Sequence, residues 1–159
     1  MKLKFQLALV LSMILATFGC IHKAGGATVT AYEKAVTYSD MLAQTNNSIA
    51  KGVIAAQQQG LLTVAQTTTL LAVQQKIALD HKALTQILQA GTSTATSQAT
   101  QVQNLLNDIR ASINSLDFQS AGLGIKNPNS QQTFANDANT IFSFTDVILA
   151  SLTSAGVIK

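Results

Sequence analysis

The chain has 159 residues, with ten Lys and Arg against seven Asp and Glu for a formal charge of +3. Charged residues make up only 11%, against about 25% in a typical soluble domain. The lysines are scattered, without the clustered basic face that nucleic acid demands. The length suits one domain with one good core. Gln, Thr, Ser and Asn stand in for charge, so salt should barely affect stability.

The chain begins with Lys2 and Lys4, followed by an apolar run from Leu7 to Phe18 broken only by Ser12 and Thr17, then Gly19-Cys20. Basic, apolar and small residues in that order predict an export signal over residues 1–19. The run of 12 residues is short of the roughly 20 that a spanning helix needs. Extended from Phe5 to Ile21 it leaves an uncut anchor as an alternative, and Gly19 and Ala27 are alternative cleavage points for an ordinary signal peptidase. Thr17-Phe18-Gly19-Cys20 resembles the lipobox of bacterial lipoprotein precursors: Gly19 and Cys20 match, while Thr17 and Phe18 stand where that family usually has Leu and a small residue. The resemblance implies acylation of Cys20 and a lipidated tether over residues 20–29. With Ile21 where an inner-membrane retention signal would have Asp, it implies the outer membrane of a two-membrane cell. Cys20 is the only cysteine. An unpaired thiol in an oxidising compartment calls for an explanation, and acylation supplies one. Loss of residues 1–19 removes Lys2 and Lys4, so eight basic residues face seven acidic ones and the charge falls to +1.

Four helical periods follow, at about 30–59, 64–90, 94–118 and 130–155. The first stripe is Tyr32, Ala35, Ser39, Leu42, Asn46, Ile49, Val53 and Ala56, a strict three-four alternation like a coiled-coil seam, with Gly60 as its stop. The second opens on Thr63-Val64-Ala65-Gln66, the spacing of a reciprocal capping box. It runs through Thr67, Leu70, Gln74, Ile77, His81, Leu84 and Leu88, thickened by Leu71, Ala78 and Ile87, to Gly91. The third is clean from Val102 through Leu105, Leu106, Ile109, Ile113 and Leu116, with any of several hydroxyls before it able to cap. Residues 119–129 read as the one real loop, with Asn129 or Ser130 capping the fourth helix. That helix carries Phe134, Ala138, Ile141, Thr145, Ile148, Leu152 and Ala155, is apolar nearly all round at Phe142, Phe144, Val147 and Leu149, and closes at Gly156. Short connections imply antiparallel neighbours, so the predicted fold is all-α, an up-down-up-down four-helix bundle over residues 30–159, with a pair of extended hairpins as the alternative.

No catalytic motif is present. One glutamate, Glu33, cannot build a di-iron site, and two histidines, one of them His22 in the tether, make zinc a poor fit. There is no haem-attachment motif, phosphate-binding Gly loop or Gly-x-Ser-x-Gly. If the first hairpin folds about residue 61, residue n faces 122 minus n, which sets Met41 level with His81. Met and His can ligate haem axially, but Met usually fills gaps and a polar core or edge histidine is the plainer reading. The same register sets Asn46 near Gln74 and Ile77, and Asn46, Gln74 and His81 are read as a structural polar layer on the seam. A solvent-facing edge and a functional polar pocket are the alternatives. Asp80 beside His81 forms no dyad, because adjacent helical residues point about 100° apart.

These features predict no catalytic residues, no metal and no cofactor. They point to a membrane-tethered envelope protein that presents helix faces or loop tips to a protein partner and binds no nucleic acid. Leu123 and Ile125 form a possible contact loop; the alternative for that loop is that it folds back over the bundle end. The rival functional reading is a module for a small apolar ligand between the helices, lined by Phe134, Phe142 and Phe144.

Overall fold

A computed structural model describes residues 29–115 and 125–159. The described residues are all-α: α1 (Ala31–Gln58), α2 (Val64–Gln89), α3 (Thr92–Ser97), α4 (Ala99–Asn114) and α5 (Pro128–Ser154). Helix ends follow local chemistry. Thr30 and Thr63 each cap reciprocally, Thr30 with Glu33 and Thr63 with Gln66, so the capping box read at 63–66 is present. Gly60 closes α1 with φ +71: its N–H reaches the Gln57 carbonyl and the Leu61 N–H reaches Ala56, the paired bonds of a Schellman turn. Gly156 ends α5 in the same way, and the following Val157 is buried in the core as is Leu152.

Two boundaries differ from the sequence reading. The third period is broken at Gln98 (φ −113, ψ 24) into α3 and α4. In α3, Thr96 Oγ1 donates to the Thr92 carbonyl and Ser97 Oγ to Thr94, the local side-chain bonds by which Ser and Thr compete with a continuous helix. The cap of α5 is Asn127 rather than Asn129 or Ser130. Its Oδ1 accepts from the Asn129 and Ser130 backbones at 3.0 and 3.1 Å, and Pro128 takes the first helical position, where its missing N–H costs nothing.

The seams form the core. Every stripe position named above that lies among the described residues is buried or half-buried, and Leu42, Val53, Leu70, Ile77, Leu84, Ile109, Ile141, Ile148 and Leu152 are fully buried. The additions around the second stripe divide: Ile87 is buried and Leu71 half-buried, but Ala78 is exposed. Helix α1 packs on α2 and α5, and α4 packs on α2 and α5. Three hydrogen bonds fix α1 and α2 as antiparallel, from Tyr32 to Leu88, Ser39 to His81 and Asn46 to Gln74. Residue n faces 120 minus n, so the fold-back is centred at residue 60, one position earlier than expected. His81 therefore meets Ser39 rather than Met41, which packs half-buried against the core. No helix among the described residues is long and apolar enough to cross a membrane.

Candidate functional site

The antiparallel α1–α2 pair leaves a recess of about 360 Å³ along its outer side. Helix α1 supplies Ala43, Asn46, Asn47 and Ala50, and α2 supplies Leu71, Gln74, Gln75, Ala78 and His81. Both sets step by three and four, so each lies on one helix face. Alanines at 43, 50 and 78 keep the walls low, and no Lys, Arg, Asp or Glu lines the recess.

Two polar groups sit on its floor. In the first, Asn46 Nδ2 donates to the Gln74 backbone carbonyl at 3.0 Å. That contact identifies the Asn46 amide: the end facing a carbonyl carries the protons, so the other end is the acceptor. Asn46 Oδ1 and Gln74 Oε1 are buried with no hydrogen-bond partner, on residues that are 6% and 4% exposed. An unmet buried acceptor costs about 1–3 kcal/mol, so this floor is held at an energetic penalty. In the second, two turns away, His81 Nε2 lies 2.8 Å from the Ser39 carbonyl and 3.1 and 3.0 Å from the Ser39 and Thr85 hydroxyls. A carbonyl only accepts, so Nε2 carries the proton. Burial lowers the His81 pKa below its ordinary value, opposed by the bond to Ser39 and the charge of Asp40, so the neutral imidazole is favoured.

Of the residues read as a polar layer, Asn46 and Gln74 meet directly, but through a side chain and a backbone carbonyl rather than side chain to side chain. His81 lines the same recess in a separate hydrogen-bonded group. Ile125 is not an exposed contact residue: it is 4% exposed and belongs to the core. The Gln131 side chain donates to its carbonyl and draws the segment against α5. Cys20 and Leu123 lie outside the described residues. Asp80 pairs with Lys76 at 2.9 Å, one turn away, and not with His81. The phenylalanines do not line the recess. Phe134 and Phe144 are buried in the core, Phe144 edge-on to Tyr38 with ring centroids 5.8 Å apart. Phe142 lies under Arg110, which also pairs with Asp146.

Sequence reading missed the recess itself and Thr85. The signals were present. Thr85 stands one turn beyond His81 on the same face. Ala43, Ala50 and Ala78 flank seam positions on facing helices, where small side chains leave a groove. Comparison of the chain with protein-family models, with characterised proteins and with solved structures finds no match.

Proposed function

We propose that the protein is a non-enzymatic envelope lipoprotein, held to the membrane by acylated Cys20, whose helical domain presents an apolar tip to a protein partner. The observation that carries this reading is at the turn between α1 and α2. Ile54, Leu61 and Val64, in and beside that turn, are 43%, 38% and 69% exposed, and the other exposed large aliphatics among the described residues, Val29 and Leu79, stand apart from them. Exposed apolar side chains gathered at one place mark interaction surfaces.

The tip lies at the far end of α1 from the tether. Helix α1 has 28 residues, so it carries the turn about 42 Å from the point where residues 20–29 join it. The domain behind it is, in this proposal, a four-helix bundle running up-down-up-down, with α3 and α4 together acting as its third helix. Support comes from the antiparallel α1–α2 register and from the packing of α1 and α4 each against both α2 and α5. Support for export and lipidation comes from the order of basic, apolar and small residues that ends at Gly19-Cys20.

The test is site-specific photocrosslinking in cells of the native host. A probe at position 64 should yield one discrete adduct with an envelope protein, and a probe at exposed position 82 on the same helix should yield none. Leu61→Glu with Val64→Glu should abolish the adduct and leave helix content and thermal midpoint unchanged. No adduct from position 64, or equal adducts from both positions, would remove the tip from the account.

A further inference from the structure

We propose that the first hairpin is a two-part device: a pinned base, and a tip half that opens by itself while the rest of the domain stays folded. The opening half carries the exposed aliphatics of the turn, but its motion needs no partner. Among the described residues, the buried side-chain atoms without a hydrogen-bond partner are Asn46 Oδ1, Thr67 Oγ1 and Gln74 Oε1. All three lie on the turn side of the midpoints of α1 and α2. Thr68 and Thr69 donate their hydroxyls to carbonyls one turn back, at 2.9 and 3.1 Å, whereas Thr67 on the buried seam does not. Buried polar atoms in folded proteins are nearly always paired, so three orphans in one half of one hairpin mark where closure is least favourable.

The base half is closed differently. Tyr32 Oη donates to the Leu88 carbonyl at 2.6 Å, and His81 Nε2 donates to the Ser39 carbonyl at 2.8 Å. The buried Ser39 hydroxyl lies 3.1 Å from His81 Nε2 and 3.3 Å from Thr85 Oγ1. Tyr38 adds an edge-on ring contact to Phe144 of α5. Apolar burial does not separate the halves: Val53 and Leu70 toward the tip are as fully buried as Leu42 and Leu84 toward the base. The polar groups do separate them. Burial of a polar group favours the closed state only where folding replaces its bonds to water. The base does so, whereas opening of the tip half returns three unmet groups to water. Gly52, in the same half of α1, adds backbone freedom that opening releases. The part of a fold that loses least by opening does so as a local unit, below the free energy of global unfolding.

Native-state hydrogen exchange of the purified protein, followed by NMR at the backbone amides of those four equally buried residues, tests this. Corrected for intrinsic rates, Val53 and Leu70 should exchange about tenfold faster or more than Leu42 and Leu84. Their exchange should also depend more weakly on denaturant, because local opening exposes less surface. Thr67→Val with Gln74→Leu removes two of the orphans and should slow Val53 and Leu70 about fivefold or more. Tyr32→Phe removes the bond to Leu88 from the base, which stays closed while the tip opens. It should speed Leu42 and Leu84 about twofold or more and leave Val53 and Leu70 unchanged. Three outcomes would overturn the proposal: equal protection of the four amides in the wild-type chain, no slowing in the Thr67→Val, Gln74→Leu variant, or Val53 and Leu70 speeding up in step with the base in Tyr32→Phe.

Discussion

Asn46 and Gln74 illustrate what a single atom's position changes. A side-chain pair on the seam would predict that loss of either partner strands the other. Because Asn46 instead bonds the Gln74 backbone, Gln74→Leu leaves that bond intact and removes an unpaired acceptor. It should be neutral or stabilising by about 1 kcal/mol, whereas Asn46→Leu forfeits a bond of about 0.5–1.5 kcal/mol and gains apolar burial in return. The coupling between the two in a double-mutant cycle should stay below about 0.5 kcal/mol, read from denaturant midpoints. A larger coupling would mean that the two side chains do bond each other.

Two titratable residues set opposing slopes of stability with pH. Burial raises the Asp137 pKa from 3.8 to about 6. The folded state then binds more protons than the unfolded one between those values, and stability falls as pH rises from about 4 to about 6. His81 is lowered from 6.5. Its folded state binds fewer protons just below that pH, and stability is complete above 6.5 and falls as pH drops toward its folded value. Thermal midpoints across pH 4 to 8 should lose the first slope in Asp137→Asn and the second in His81→Gln. Unchanged profiles would show that neither group is desolvated as described.

At the scale of elements, the glycines separate two roles. Gly52 lies inside α1, within two turns of its C-terminal end, and is exposed, with open space where a Cβ would go. Gly52→Ala should therefore stabilise by about 0.5–1 kcal/mol. Gly60, at φ +71, has the left-handed backbone that alanine resists, and Gly60→Ala should destabilise by about 1 kcal/mol. Guanidinium unfolding of both variants checks the pair, and equal signs would contradict the turn geometry. The start of α2 and the ends of α1 and α2 were legible because Thr63-x-x-Gln66, Gly60 and Gly91 each carry a specific hydrogen-bonding consequence, whereas the equivalent Thr30-x-x-Glu33 box went unread. The break at Gln98 was not, since the run Thr92 to Ser97 offers several hydroxyls with equal claim to a cap, and only packing chooses among them. Asn127-Pro128 was read as loop because Pro usually breaks helices, although at the first helical position it favours one. Burial along α1, α2 and α5 was legible for a simpler reason: the three-four spacing of apolar residues leaves one face to bury.

At the scale of the molecule, the described helices share one continuous core, running from Ala35 and Leu42 through Ile77 and Ile109 to Ile148 and Leu152. Ile148 is fully buried, so Ile148→Ala should cost about 2–5 kcal/mol. Exposed Lys82→Ala should stay within about 0.5 kcal/mol. Midpoints equally insensitive to both would mean the helices do not unfold as one unit. The recess escaped sequence reading at this scale because it depends on the register between two helices, and moving that register by one or two residues changes which side chains share a level.

The functional account turns on one end of the domain being held at a membrane while the tip of the first hairpin faces away. The intact mass of the mature protein, isolated from the membrane fraction of its native host, tests that most directly. The account predicts a chain that starts at Cys20 and carries the added mass of its acyl groups, absent in Cys20→Ser. A mature chain that starts elsewhere, or an unmodified Cys20, would contradict it.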